Sequence, residues 1–395
     1  MGDANRVPLS ALGEIFDGPH ATPRRCEEGP YFLNISSLNC GRLNLAESDH
    51  VSEEDFVKWT RRVTPAEGDL LFSYETRLGE AALMPAGVRA CLGRRMALLR
   101  PDRSVVDPRF LLYYYLSPEF QRIIEKNMIH GATVTRIGIA TMPEWEVNVP
   151  NIPKQRAIAD VLGALDDKIA ANNAAAAKAL ELARLAYNVR VDGSARKPMS
   201  AVLEPTLGGT PKRTDESMWG GPVAWASAKD IAGAPHGVVT STSETISELA
   251  ASKTRTREMP AETVVLTARG TVGVVARLGL PSAINQSCYG FEPSAIPASS
   301  LFFTIENAAA QARSMAHGSV FDTITMNTFN HVQIPAFSES EWGSIEQSIE
   351  PLLRISQQKV VESGSLATTR DELLPLLMSG KVRVRDAEKV VEEVV

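Results

Sequence analysis

Two loops of the chain each set a pair of cations behind a proline. "TPRR" supplies Arg24 and Arg25, and "TPKR" supplies Lys212 and Arg213. Proline fixes φ ahead of each pair, and Arg or Lys held on such a loop suits phosphate oxygens or base edges of nucleic acid. Exposed surface charge has the same appearance. Matching stretches downstream add short polar side chains. "YFLNISSLN" carries Asn34, Ser36 and Asn39, and "AWASAKD" carries Ser227 and Lys229. "SYETRLG" (Tyr74, Thr76, Arg77) and "TARGTVG" (Arg269, Thr271) each have an arginine within two residues before a glycine, which predicts a shared loop. "HGATVTR" holds Thr133, Thr135 and Arg136, and "HGSVFDT" holds Ser319 and Thr323. "KTRTRE" packs Lys253, Arg255 and Arg257 together without a counterpart; it either tracks a nucleic-acid backbone or is a solvated loop. These residues form the candidate DNA-binding set.

Other chemistry has little support. His130 and His317 sit at matching positions, but neither has a third ligand or a carboxylate at triad spacing nearby, so catalysis and a metal site are not expected. The four cysteines, Cys26, Cys40, Cys91 and Cys288, form no CxxC pair and suit reduced thiols in or near the core. There is no GxxxxGK[ST] loop, no Gly-rich cofactor loop after a strand, and no Asn-Pro-Pro-aromatic segment of an adenine methyltransferase.

The elements that must position these loops come from a repeat. Thr22 and Thr210 lie 188 residues apart, and His130 and His317 lie 187 apart, at the two ends of one unit. Each copy is a module of mixed α/β character, closing on "EVNVP" or "HVQIP", followed by a helical stretch. Asp69 to Tyr74 and Thr263 to Ala268 predict strands, and Pro108 to Lys126 predicts a helix that turns at Pro118. In the first helical stretch Ile158, Leu162, Leu165 and Ile169 define a narrow seam that continues through Asn172, Ala176, Ala179 and Ala183. Asn172 either sets register or sits at the wet edge of that seam. In the second, Ser338 and Glu341 form a capping box ahead of Trp342, Ile345, Ile349 and Leu352, and the stripe resumes at Leu366, Leu373, Leu374 and Leu377.

A chain of 395 residues fits two or three domains, and 44% hydrophobic with 22% charged residues is a globular composition. No apolar run approaches the ~18–20 residues of a membrane span. The opening "MGDANRVPLS" lacks a signal peptide's basic and apolar regions, so no membrane association and a cytoplasmic location are expected. A net charge of −6 argues against nonspecific coating of nucleic acid but leaves room for basic residues gathered on one face.

The order module, helix, module, helix predicts two long helices that pair antiparallel and relate the copies by an approximate two-fold axis. A helix from Pro153 to Asn188 spans about 54 Å, more than the ~34 Å of one turn of B-DNA. Two divergent modules in one chain then suit a bipartite, asymmetric target.

"GGTPKR" followed by "WGGPVAWASAKDI", the entry "VPNIPKQRAIADVLGALDDKI" and the close "RDELLPLLMSGKVRV" resemble the specificity subunit of Type I restriction-modification systems. The resemblance runs from about Pro8 to Val384, with its parts in the same order. Two departures are Lys154, where the family commonly has an acid before Gln155, and "HATPRR" in place of a second "GGTP". The resemblance implies a non-catalytic chain with two target-recognition domains, residues 1–150 and 193–337. Spacer helices would occupy 151–192 and 338–380, with a tail at 381–395. It further implies double-stranded DNA as ligand and methyltransferase subunits, two of them, docked on the helices. A restriction-translocase subunit would join the full complex. S-adenosylmethionine, ATP and Mg2+ are expected in those partner subunits and no cofactor in this chain. The rival reading is a non-catalytic protein-interaction scaffold with paired α/β domains, using the acidic "AEKVVEEVV" as one contact. A methyltransferase-nuclease fragment is disfavoured by the missing motifs.

Overall fold

The computed structural model describes residues 5–19, 21–130, 134–254, 256–316 and 323–395. Two long helices, Ile152–Val191 and Glu339–Met378, each run for 40 residues. The chain divides into two units whose boundaries fall inside those helices: Met1–Lys168 with Leu366–Val395, and Ile169–Ser365. Each unit is therefore an α/β module together with part of both helices.

In the first unit, four antiparallel strands lie in the order Gly13–Asp17, Met96–Pro101, Leu70–Ser73, Ala81–Leu83. All four residues of Leu70–Ser73 are buried, as expected of an inner strand covered on both faces. A second sheet sets Arg25–Leu33 between Asp49–Val51, antiparallel, and Ala90–Leu92, parallel. Leu33, Leu71, Ala82, Leu92 and Leu98 share one core. The predicted turn at Pro118 divides two helices, Pro108–Leu116 and Pro118–Asn127. Ser117 ends the first and caps the second, accepting from Phe120 N at 3.4 Å.

The second unit repeats this scheme. Leu70–Ser73 corresponds to Val264–Thr267, the centre of a five-stranded sheet, and Arg25–Leu33 corresponds to Trp219–Ala226, which again has one antiparallel neighbour (Glu244–Ile246) and one parallel neighbour (Ser282–Ile284). Pairings of Leu71 with Ala82 and of Val265 with Ala276 keep one offset of 194 residues. A single longer helix, Ala298–Ala316, packs Leu301, Phe302, Phe303 and Ile305 into the core.

Within each unit the module is tied to the long helices. In the first, Asp166 accepts from Tyr113 Oη at 2.6 Å and from Arg370 Nη1 at 2.7 Å, so one carboxylate links the module and both helices. Burial, with the neighbouring Asp166 charge, raises the Tyr113 phenol well above its ordinary range, so it stays a donor. In the second, Ala183, Tyr187 and Val191 share a core with Trp342, Ile345, Ile349 and Leu353. Ala176 touches Val360, and Arg190 donates to Ser344 Oγ at 2.6 Å, so within this unit the helices run antiparallel. The box at Ser338 and Glu341 forms as predicted.

Three details differ from the sequence reading. Leu353, not Leu352, takes the inner position after Ile349: a four-residue step keeps the seam inward through Ser356 and Val360, and Leu352 remains half-buried. Asn172 is buried, 3% exposed, and its Nδ2 has no partner, so it does not lie at a wet edge. The segment read as a tail forms a helix, Val384–Val394, that buries Ala387 and Val391 at four-residue spacing. Of the cysteines, Cys91 and Cys288 are buried, while Cys26 and Cys40 are exposed. Among the described residues no helix is long and apolar enough to cross a membrane.

Candidate nucleic-acid interface

The threonine-proline loops precede the strands Arg25–Leu33 and Trp219–Ala226. Arg24 and Lys212 are exposed. Arg25 lies 3.1 Å from Asp49 through Nε, and Arg213 donates Nη1 and Nη2 to the two oxygens of Glu244, Nη2 at 3.0 Å. The Arg213 guanidinium also stacks 3.9 Å above the Trp219 ring and 5.1 Å from Trp225. The hydrogen bond from Arg213 holds the Glu244 carboxyl below its usual range.

The polar stretches after these strands are largely capping devices. Asn34 Oδ1 accepts from Ser37 N at 3.2 Å, and its Nδ2 donates to the Glu47 carbonyl at 2.9 Å. Ser227 takes the same place in the second module: its N–H donates to Asp230 at 2.8 Å and its Oγ accepts from Asp230 N at 3.2 Å. Burial works to raise the Asp230 carboxyl, but hydrogen bonds from Ser227 and Ser243 hold it below the ordinary range. The exposed positions of the two turns are Ser36 and Lys229, each two residues past its cap. Asn39 is exposed in a two-residue strand opposite Arg42.

The shared glycine loop is present, with a different alignment. Ser73 N donates to the Glu80 carbonyl and Thr267 N to the Val274 carbonyl, an offset of 194. Gly79 (φ 86°) then matches Gly273 (φ 83°), and Thr76 (φ 73°) matches Gly270 (φ 76°). Arg77 therefore corresponds to Thr271, and Arg269 to Glu75. The first module spends these charges internally, Glu75 on Arg95 and Arg77 on Glu80 at 3.1 Å, whereas Arg269 and Thr271 are exposed. Tyr74 is buried.

Of the remaining candidates, Arg136, Thr323 and Lys253 are exposed, Thr135 is half-buried, and Arg257 is ion-paired with Glu292. Thr133, Arg255 and Ser319 lie outside the described residues, as does His317. His130 is exposed. Among the described residues no three His, Cys, Asp or Glu side chains gather as a metal-holding group.

Sequence reasoning missed Asp49 and Glu244. A signal existed: "SDHVSEED" from Ser48 and "SETISELA" from Ser243 are a further repeat, 195 residues apart, each giving an acid, a β-branched residue and a serine that caps the next helix.

The family description "Type I restriction modification DNA specificity domain" matches residues 26–182. Over its length the chain is 20% identical to a putative Type I restriction enzyme MjaX specificity subunit of Methanocaldococcus jannaschii, covering 95% of this chain and 92% of that one. It is 19% identical to the HindI specificity subunit of Haemophilus influenzae, covering 89% and 92%. A shorter match, 26% over 152 residues, reaches the MjaIX specificity subunit of M. jannaschii and spans 38% of this chain and 35% of that one. The fold is similar to a crystal structure of a Type I restriction-modification S subunit from M. genitalium, with a TM-score of 0.59 at 14% identity over 95% of this chain and 96% of that one. With two like modules, two long helices and a family match that runs from the first module into the central helix, the chain is similar over most of its length to the specificity subunits of Type I restriction-modification systems.

Proposed function

We propose that each module reads one half of a bipartite, asymmetric DNA target and that the long helices carry the docking sites for two methyltransferase subunits. The observation that carries this reading is the pairing of one scaffold with two loop chemistries. The same strands and turns expose Ser36 and hold Glu75 against Arg95 in one module but expose Lys229 and Arg269 in the other. Side chains on such loops differ in the base edges and phosphates they can meet, so two unlike half-sites follow. Helices of 40 residues, about 60 Å at ~1.5 Å per residue, are long enough to set a spacing greater than one DNA turn.

The chain itself performs no chemistry on this reading. S-adenosylmethionine belongs to the methyltransferase partners, and ATP with Mg2+ to a restriction-translocase subunit in the full complex. The location is the cytoplasm, where the DNA lies. Selection from a random duplex pool by the chain with its methyltransferase partner tests the proposal. Enrichment of two unlike half-sites at fixed spacing is expected. A pool with no enriched bipartite sequence overturns it in favour of an interaction scaffold, and DNA methylation or cleavage by the chain alone overturns the non-catalytic role.

A further inference from the structure

Both modules hold the second cation of the threonine-proline loop against a carboxylate at the same place in the fold. Asp49 and Glu244 open equivalent strands, Asp49–Val51 and Glu244–Ile246, and each lies beside the strand that follows the loop. The pairs face solvent: the Arg213 and Glu244 side chains are 54% and 40% exposed. An exposed ion pair adds little stability in water. Its presence in two modules whose other loop charges differ therefore calls for a role beyond holding the fold.

The geometry supplies one. In the second module, Trp219 Nε1 donates to the Lys212 carbonyl at 3.3 Å and Trp225 Nε1 to the Gly209 carbonyl at 3.0 Å, which anchors the loop at both ends of "GTPK". Trp219 then sets the plane of the Arg213 guanidinium from below, and Glu244 sets its rotation within that plane. A guanidinium has five N–H donors in a rigid fork. Glu244 engages the two terminal nitrogens and leaves the Nε edge to donate, while Asp49 engages Nε of Arg25 and leaves the terminal pair. Either remaining edge presents two parallel donors, which match O6 and N7 of guanine in the major groove.

We propose that Asp49 and Glu244 are positioning residues that aim Arg25 and Arg213 each at one guanine, one in each half-site. This rests on the recognition reading above and adds to it the base and the residues that select it. Asp49 and Glu244 touch the arginines and not the DNA. Because different edges of the two forks are engaged, the two guanines are approached from different directions.

The test compares base preference, position by position, for the chain bound with its methyltransferase partner. Glu244→Gln keeps the size of the side chain and removes the charge that fixes Arg213. Discrimination at one G·C pair of one half-site should fall about five- to a hundredfold, with thermal midpoint unchanged and nonspecific binding not weakened. Asp49→Asn should do the same at one G·C pair of the other half-site. Should Glu244→Gln fail to fold, Arg213→Lys reads the same position, since an ammonium keeps the charge but lacks the fork. Uniform loss across a half-site, unaltered preference, or a change confined to a pair other than G·C overturns the assignment. A wild-type chain that selects no bipartite sequence removes the recognition reading and this assignment with it. A wild-type chain that selects one, with variants of unaltered preference, removes this assignment alone.

Discussion

The two modules share strand order, caps and turn positions, yet treat charge in opposite ways. Around the glycine loop the first module pairs its charges internally, Glu75 with Arg95 and Arg77 with Glu80, and strains Thr76 into a left-handed turn. The second relaxes the same turn with Gly270 and leaves Arg269 on the surface. Positions that must make the fold are kept in kind: an N-cap at Asn34 and Ser227, a glycine at Gly79 and Gly273. Positions beside them are where the modules diverge. In a duplicated binding scaffold, backbone requirements and recognition chemistry can thus sit on adjacent residues and vary independently.

The largest expected effect tests whether the units are cooperative in their own right. Phe303→Ala empties part of the second core and should cost about 3–5 kcal/mol, while Phe110→Ala should do so in the first. Hydrogen exchange should show each loss concentrated in its own unit, residues 169–365 for Phe303→Ala; equal loss of protection throughout would make the chain one folding unit. Asn172→Leu removes a buried amide nitrogen without a partner and should stabilise the helix pair by about 1–2 kcal/mol. A lower denaturant midpoint would mean that the seam has no room for the branched side chain. The turn comparison is sharpened by exchange: Thr76→Gly should stabilise the first module by about 1 kcal/mol and Gly270→Thr should destabilise the second by a similar amount. Thermal midpoints that move in the same direction would break the equivalence of those turns. The smallest effect concerns charge. Arg269→Ala should lower the salt dependence of DNA binding by about one phosphate equivalent, whereas Glu75→Ala should leave the slope unchanged; equal slopes for both variants would remove the contrast between the loops.

Much of the scaffold was legible in the sequence. The repeat at an offset of 188 located both modules, the 3.6-residue periodicity located both long helices, and Ser338 with Glu341 marked a helix start. The glycine loop shows where such reading slips. Matching arginines by their distance to a glycine paired Arg77 with Arg269, but the left-handed positions pair Arg77 with Thr271, because a turn is defined by backbone angle and not by side-chain likeness. The third repeat, "SDHV" with "SETI", escaped because two short acidic stretches carry little signal until their strands are seen to occupy equivalent places. The candidate list also mixed caps with exposed positions: Asn34 and Ser227 look as available as Lys229 until their hydrogen bonds are traced.

By itself, the sequence determined what depends on local order: two copies of one module, two long helices and the family that they resemble. Periodicity, capping and repetition are properties of neighbours along the chain, so they survive reading in one dimension. Only the tertiary structure decided which polar groups meet. Arg370 reaches Asp166 across 204 positions, Arg213 reaches Glu244 across 31, and Asn172 is buried with no partner for its Nδ2. The energy of a polar side chain is set by what replaces water around it, and those replacements come from residues that only folding brings together.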